Sequence, residues 1–250
     1  MELSEHLIAH RGWQRRYPEN TAAAVRGAIA AGARAVEVDL QLSADGVPVL
    51  HHDRDLWRVC RHRGEVARLS LAQLQELRAS EPDRLGEEFA AEPLLTLAQL
   101  VGLLDPHPGV QLFLEIKEEV LDSRPADAAL AIVLDQLAPL TGRCTLISFS
   151  LPLLEAAREQ GWPAVGPVLS HWDQRSQPAL VALQPRVAFI HWRRLPEQGP
   201  LETAWPLAIY EVDQRPFALH LLERGARWIE TFAIGELLAE EAGLAQGEQP

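Results

Sequence analysis

The chain has 250 residues, 47% of them hydrophobic, and a formal net charge of −12. That length suits one large domain, and the acidic balance argues against nucleic acid and against electrostatic docking on anionic lipid. Two cysteines far apart, Cys60 and Cys144, make neither a disulfide framework nor a thiolate metal pair; no run approaches the roughly 20 apolar residues of a membrane span, and a start with no basic-then-apolar segment places the chain in the cytoplasm.

In chain order, Leu7-Ile8-Ala9 reads as a strand ending at His10. The Ala-rich stretch from Ala22 to near Gly32 reads as a helix capped by Thr21 or Asn20. Ala35 to Leu40 alternates strictly, as a strand does; Asp45-Gly46 makes a turn, and Val47 to Leu50 follows it. From Asp53 to Glu92 the pattern loosens, with a short helix over 71–79 capped by Ser70; so long a stretch calls for structure of its own. Alternation then resumes. Helices are expected over 96–104, 126–137, 151–160, 178–183, 217–224 and 236–242, with strands over 110–117, 144–149, 164–169, 187–192, 207–212 and 228–232. Residues 246–250 read as a tail. Repeated β/α alternation implies a parallel sheet, and eight such units at this length predict an α/β fold, the (β/α)8 or TIM barrel. A doubly wound open sheet is the alternative, but no G-x-G-x-x-G follows the first strand.

In such a barrel the C-terminal strand ends carry the active site. Polar residues gather there: His10-Arg11, Glu37 and Asp39, His51-His52-Asp53, Glu115 and Lys117, Ser148, His171, His191, Glu211 and Asp213, and Glu230. Strand side chains alternate faces, so Glu37 and Asp39 share one face, as do Glu115 and Lys117. Carboxylates in a barrel interior are costly unless paired or bound to a cation. Oxygen donors on neighbouring strands favour a hard ion, Mg2+ or Ca2+, with Mn2+ also accommodated; the competing reading is a salt-bridge network with Lys117 and Arg11. His10 and either His51 or His52 add proton-transfer capacity near neutral pH. Of 23 basic residues only Lys117 is a lysine, which suggests a tight pocket that wants a compact ammonium.

His10-Arg11-Gly12, Pro18-Glu19-Asn20-Thr21, Glu37-Val38-Asp39 and Pro48-Val49-Leu50-His51-His52-Asp53 together resemble the glycerophosphodiester phosphodiesterase family, whose pattern reads H-R-G, P-E-N-T, E-x-D, P-V-x-x-H-D. Glu115-Ile116-Lys117 resembles its E-x-K, Leu95-Thr96-Leu97 its T-L and Ser148-Phe149 its S-F. The resemblance implies a (β/α)8 barrel over 1–250 with a small insertion after the second strand, at about 53–92. It implies that Glu37, Asp39 and Glu115 hold a divalent cation, that His10 and His52 exchange protons, and that Arg11 and Lys117 contact the phosphate. Phe149, His171, His191, Tyr210 and Glu211 would then wall the pocket. The departures fall late: Tyr210-Glu211-Val212-Asp213 stands where the family often has W-T-V-N, Glu230-Thr231-Phe232 where it often has T-D, and Asp55 where it often has Thr.

The implied reaction is metal-dependent hydrolysis of a small-molecule glycerophosphodiester to glycerol 3-phosphate and an alcohol. A lysophospholipase D-like activity is the alternative, if Trp13, Trp57, Trp172 and Trp192 form an apolar groove rather than wall or core. A barrel that only binds phosphorylated metabolites is a third, disfavoured by the presence of both histidines, all three acids, Arg11 and Lys117.

Overall fold

The computed structural model describes residues 2–247. Its elements in chain order are β1 (Leu7–Ala9), α1 (Ala22–Ala30), β2 (Ala35–Leu42), β3 (Pro48–Leu50), α2 (Trp57–Cys60), α3 (Leu71–Glu76), α4 (Pro82–Leu85), α5 (Leu97–Leu104), β4 (Gln111–Ile116), α6 (Ala126–Leu137), β5 (Cys144–Ser148), α7 (Leu151–Glu159), β6 (Val165–Leu169), α8 (Pro178–Leu183), β7 (Ala188–His191), β8 (Leu207–Tyr210), α9 (Arg215–Glu223), β9 (Trp228–Thr231) and α10 (Ile234–Gly247). Eight strands pair in parallel around a ring, β1-β2-β4-β5-β6-β7-β8-β9 and back to β1. The ring closes through the pair Ala9↔Val36 on one side of β1 and three pairs with β9 on the other. This is the closed (β/α)8 barrel, not an open sheet. β3 stands outside the ring, antiparallel to β2.

β2 shows why the barrel has two cores. All eight of its residues are buried. Val36, Val38, Leu40 and Leu42 point outward into the large shell between strands and helices. A second apolar cluster fills the barrel itself, with Ile8, Ala35, Phe113, Ile147, Val168, Val187, Phe189 and Ala208, and Trp228 packed against it. Phe113 meets Phe189 and Trp228 edge-on, at 5.3 and 6.0 Å between centroids. Branched and aromatic side chains thus plug the floor, and the next inward layer, towards the strand C-termini, is left for polar groups.

Residues 53–92 hold the short helices α2, α3 and α4 over a small core of Val49, Leu56, Val59, Val66, Leu74, Ala79 and Leu94. Ser70 caps α3 with a reciprocal Gln73 contact, as Thr96 caps α5 with Gln99. α3 stops at Glu76 rather than running to Ala79, because Arg78 bridges Pro93 and the Ala79 N–H donates to the Glu92 carbonyl. The last helix is longer than its periodicity suggests and takes in Gln246 and Gly247; residues 248–250 lie outside the described residues. The two ends of the chain meet, since the N–H groups of Leu3 and Ser4 donate to the Glu241 carboxylate at 2.5 and 2.8 Å. Among the described residues no helix is long and apolar enough to cross a membrane.

Candidate active site

A cleft at the C-terminal ends of the strands is lined by His10, Arg11, Glu37, His52, Glu115, Lys117, Phe149, Tyr210, Glu211 and Glu230. Each arrives there by strand geometry. Glu37, Asp39 and Gln41 are the inward alternates of β2, above Ala35 in the floor. In the parallel register Asp39 sits opposite Glu115 of β4. One donor atom from each of Glu37, Asp39 and Glu115 lies within 4.8 Å of the others.

His10 follows β1 and is held from both sides. Its N–H donates to the Thr231 carbonyl at 2.9 Å, and its ring stacks on Phe232 at 4.4 Å. Its Nε2 is 3.8 Å from Glu37 Oε2. Burial, then the nearby Arg11 charge, pushes the His10 pKa well below the ordinary imidazole value. Arg11 takes a left-handed backbone (φ 55°), so its N–H donates to Glu37 Oε2 at 3.1 Å while its guanidinium reaches Glu19 at 3.1 Å and Asp39 at 3.2 Å. Lys117 Nζ lies 2.7 Å from Glu115 Oε1 and 3.6 Å from Asp39 Oδ1. Burial opposes its charge, but these two carboxylates raise its pKa to about 12.

The acids titrate in opposite senses. Burial alone would raise Asp39, yet Arg11, His52 and Lys117 together hold it well below the usual carboxylate range. Glu37 is pushed well above that range by burial first and then by Asp39, Glu230 and Glu115. Glu115 is raised by burial and Asp39. Glu37 Oε1 is buried with no hydrogen-bond partner among the described residues. Converging hard oxygen donors, one of them unpartnered, fit a divalent cation. The competing network with Lys117 and Arg11 is also present; it satisfies Asp39 and Glu115 but leaves Glu37 Oε1 free.

The geometry separates the two adjacent histidines. His51 is buried and its Nε2 is bonded to the Asp55 carbonyl at 2.8 Å, whereas His52 faces the cleft. The His52 Nδ1–H donates to Asp53 Oδ1 at 2.7 Å, which fixes the tautomer and frees Nε2. Of the expected wall residues, Phe149, Tyr210 and Glu211 line the inner cleft, while His171 and His191 lie on a shallower outer cavity that continues from it. His191 Nε2 pairs with Glu211 at 2.9 Å. Asp213 turns away: it accepts from Thr231 Oγ1 and the Phe232 N–H and pairs with Arg15. Trp13, Trp172 and Trp192 pack against the main core, and Trp57, 47% exposed, lies under Arg61 and Arg63 on the insertion.

Four further contributors carry no catalytic, phosphate-binding or metal role in the sequence reading. Glu19 accepts from both Arg11 and Arg58, and Arg58 also binds Asp53, so one ionic chain runs from Arg11 to His52. Asn20 bonds Asp39 twice. Gln41 donates to the carbonyls of His51, His52 and Asp53. Glu230 of β9 is buried beside His10 and Glu37. The signal for Gln41 was its place two residues beyond Asp39 on the same strand face; for Glu230 it was an acid within an otherwise apolar strand.

A model of the glycerophosphoryl diester phosphodiesterase family matches residues 10–185. The chain belongs to that family. Glycerophosphodiester phosphodiesterase 1 of Bos taurus is 38% identical over 110 residues, 44% of this chain and 33% of that protein. A probable glycerophosphodiester phosphodiesterase 1 of Mycobacterium tuberculosis is 41% identical over 118 residues, 46% and 43% of the two chains. The chain thus spans between a third and about half the length of the curated relatives it matches. An Oleispira antarctica phosphodiesterase, solved with its product sn-glycerol-3-phosphate, superposes with a TM-score of 0.82 at 25% identity, covering 95% of this chain and 96% of that one. A glycerophosphodiester phosphodiesterase from Parabacteroides distasonis shares the fold, with a TM-score of 0.77 at 20% identity over 98% and 100% of the chains. The family match ends before β7, so Tyr210, Glu211 and Glu230 lie beyond it.

Proposed function

We propose that this member of the family hydrolyses glycerophosphodiesters to glycerol 3-phosphate and an alcohol, and that residues 1–250 act as one barrel domain with 53–92 inserted. The observation that carries the reading is the convergence of His10, His52, Arg11 and Lys117 on one cleft together with the close-set carboxylates of Glu37, Asp39 and Glu115.

Glu37, Asp39 and Glu115 would hold a divalent cation, Mg2+ or Ca2+ by donor type and Mn2+ as a third option. When bound, it supplies positive charge to the phosphate oxygens and lowers the barrier that their negative charge raises against a nucleophile. Arg11 and Lys117 flank the same position and add fixed positive charge that needs no reorganisation. Arg11 is kept in place by Glu19, and Lys117 by Glu115. One histidine takes a proton from the attacking oxygen, either water or the glycerol's neighbouring hydroxyl, and the other gives one to the departing alkoxide. Burial keeps the His10 imidazole neutral near pH 7, while Asp53 orients the His52 ring. Phe149, Tyr210 and Glu211, with His171 and His191 farther out, would receive the alcohol. The packing of Trp13, Trp172 and Trp192 on the core supports their wall-and-core reading, which favours a small diester over a lysophospholipid.

The test is release of glycerol 3-phosphate from glycerophosphocholine, compared with choline release from lysophosphatidylcholine, under EDTA and under added Mg2+ or Ca2+. Metal-dependent turnover of the former, lost in His52→Ala, supports the reading. Turnover of the lysophospholipid alone would move the substrate class, and binding of phosphorylated metabolites with no turnover under any metal would leave only a binding barrel.

A further inference from the structure

The acidic groups of the cleft form two donor sets that share one member. The first is Glu37, Asp39 and Glu115. The second is His10, Glu37 and Glu230, again with one donor atom from each residue within 4.8 Å of the others. In the first set the other two acids are already engaged, Asp39 by Asn20 and Arg11, Glu115 by Lys117. In the second, His10 Nδ1, Glu37 Oε1 and Glu230 Oε1 are all buried with no hydrogen-bond partner among the described residues. The three residues are 7%, 1% and 3% exposed. Buried polar atoms in folded proteins are nearly always satisfied, so an unpartnered one on each of three clustered residues points to a partner that they share.

Chemistry narrows that partner to a cation. All three groups are lone-pair donors once the carboxylates are ionised, and the only donor proton among them is the one on the neutral imidazole. One nitrogen with two oxygens suits a borderline ion such as Zn2+ better than Mg2+ or Ca2+, which take oxygen shells. Ligands of a tetrahedral zinc sit on the order of 3.3 Å apart at the usual bond lengths, so side-chain rotations that close the cluster by an ångström or so suffice.

We propose that His10, Glu37 and Glu230 form a second cation site, selective for borderline ions such as Zn2+, and that filling it takes His10 out of proton transfer. The imidazole lone pair that would accept a proton is given to the ion instead. The filled site is therefore an inhibited enzyme, a consequence that rests on the proposed proton-transfer role of His10; the binding site itself does not. Glu230 lies on β9, outside the residues matched by the family model.

Zn2+ uptake by the full chain, counted by equilibrium dialysis and elemental mass spectrometry at micromolar ZnCl2, tests the site directly. Wild type is expected to take up two Zn2+ per chain and Glu230→Gln one. In wild type labelled with 15N-histidine, the His10 ring resonance, identified by its loss in His10→Asn, is expected to shift as Zn2+ is added. Inhibition of the Mg2+-loaded enzyme by Zn2+ is expected to need at least tenfold more Zn2+ in Glu230→Gln. Uptake of one ion by wild type, or of two by the variant, overturns the proposal, as does a His10 resonance that does not move. Should circular dichroism show Glu230→Gln unfolded, the wild-type resonance decides alone. A chain that binds no divalent ion sinks the cation centre of the proposed function as well, whereas Mg2+ binding lost in Asp39→Asn beside unchanged Zn2+ uptake in Glu230→Gln sinks only the second site.

Discussion

Asn20 grips Asp39 at two points: its Nδ2 donates to Asp39 Oδ2 at 2.9 Å, and its Oδ1 accepts from the Asp39 N–H at 3.0 Å. The side chain reaches β2 because Asn20 takes a left-handed backbone (φ 58°), which Asn tolerates better than most residues. Thr21 takes over the helix cap, accepting from the Ala24 N–H. Asn20→Ala frees a carboxylate rotation and strands a buried N–H. The expected result is a cation affinity lower by roughly 10- to 100-fold, as for other residues that orient metal ligands, with a stability loss of about 1–3 kcal/mol. Calorimetric titration with Mg2+ and a denaturant melt check the two separately; an unchanged affinity would remove Asn20 from the centre.

Asp53 holds one nitrogen of His52 and is itself held by Arg58. Asp53→Asn keeps the shape but alters the acceptor that fixes the tautomer. The expected outcome is a fall in kcat of roughly 100-fold, within the span ascribed to general acid–base catalysis, with KM changed far less. Steady-state kinetics on glycerophosphocholine tests this, and an effect confined to KM would make Asp53 a binding rather than a positioning residue.

Glu37 and Glu115 are raised, Glu37 the more strongly, by burial and neighbouring acids. A carboxyl whose folded pKa is raised favours folding below its unfolded value and loses that contribution as pH climbs through the folded value. A cation needs the ionised form, so protons must leave as it binds. Mg2+ affinity is therefore expected to rise from pH 5.5 to 8, with net proton release largest at the acid end. The melting-temperature gain from Mg2+ should grow in the same direction, and EDTA should abolish it. Titrations in two buffers of different ionisation enthalpy measure the protons; a pH-independent affinity would contradict the assignment of Glu37 as ligand.

Gly12 is the third residue of the H-R-G run, with φ 77° and the Ala24 backbone against it. A Cβ there would lie 2.6 Å from the Ala24 carbonyl carbon. Gly12→Ala is expected to cost about 2–4 kcal/mol from the left-handed backbone and the overlap together, read as a lower urea midpoint. A loss below about 0.5 kcal/mol would show that the turn relaxes.

The fold was legible because short apolar runs recur between helix-like segments, with strict alternation in β2, and because caps such as Ser70 mark where helices begin. The nearest proposed ligands were legible too, since Glu37 and Asp39 are two apart on one strand and acids on a barrel's inner face are conspicuous. What reaches them from elsewhere was not. Glu19 and Arg58 are 39 residues apart in the chain and meet only because the insertion folds back over the mouth. Choosing His52 over His51 needed the resemblance, because adjacent strand-end residues leave the period unable to say which faces in; the structure separates them through the Asp55 carbonyl. Glu230 was visible as an acid in an apolar strand, but its neighbours, His10 and Glu37, come from the opposite end of the chain.

Because β1 lies between β2 and β9, with its lead-in tied to Glu241, the residue most central to the proposed chemistry is translated first and finished last. His10 leaves the ribosome early, yet Tyr210, Glu230 and Phe232, which shape its surroundings, follow on the order of tens of seconds later at ordinary elongation rates. Until then the inner acids of β2 and β4 lack one wall of the ring. A growing chain is therefore expected to lack the proposed activity at every length short of the ninth strand, and to gain it when the barrel closes.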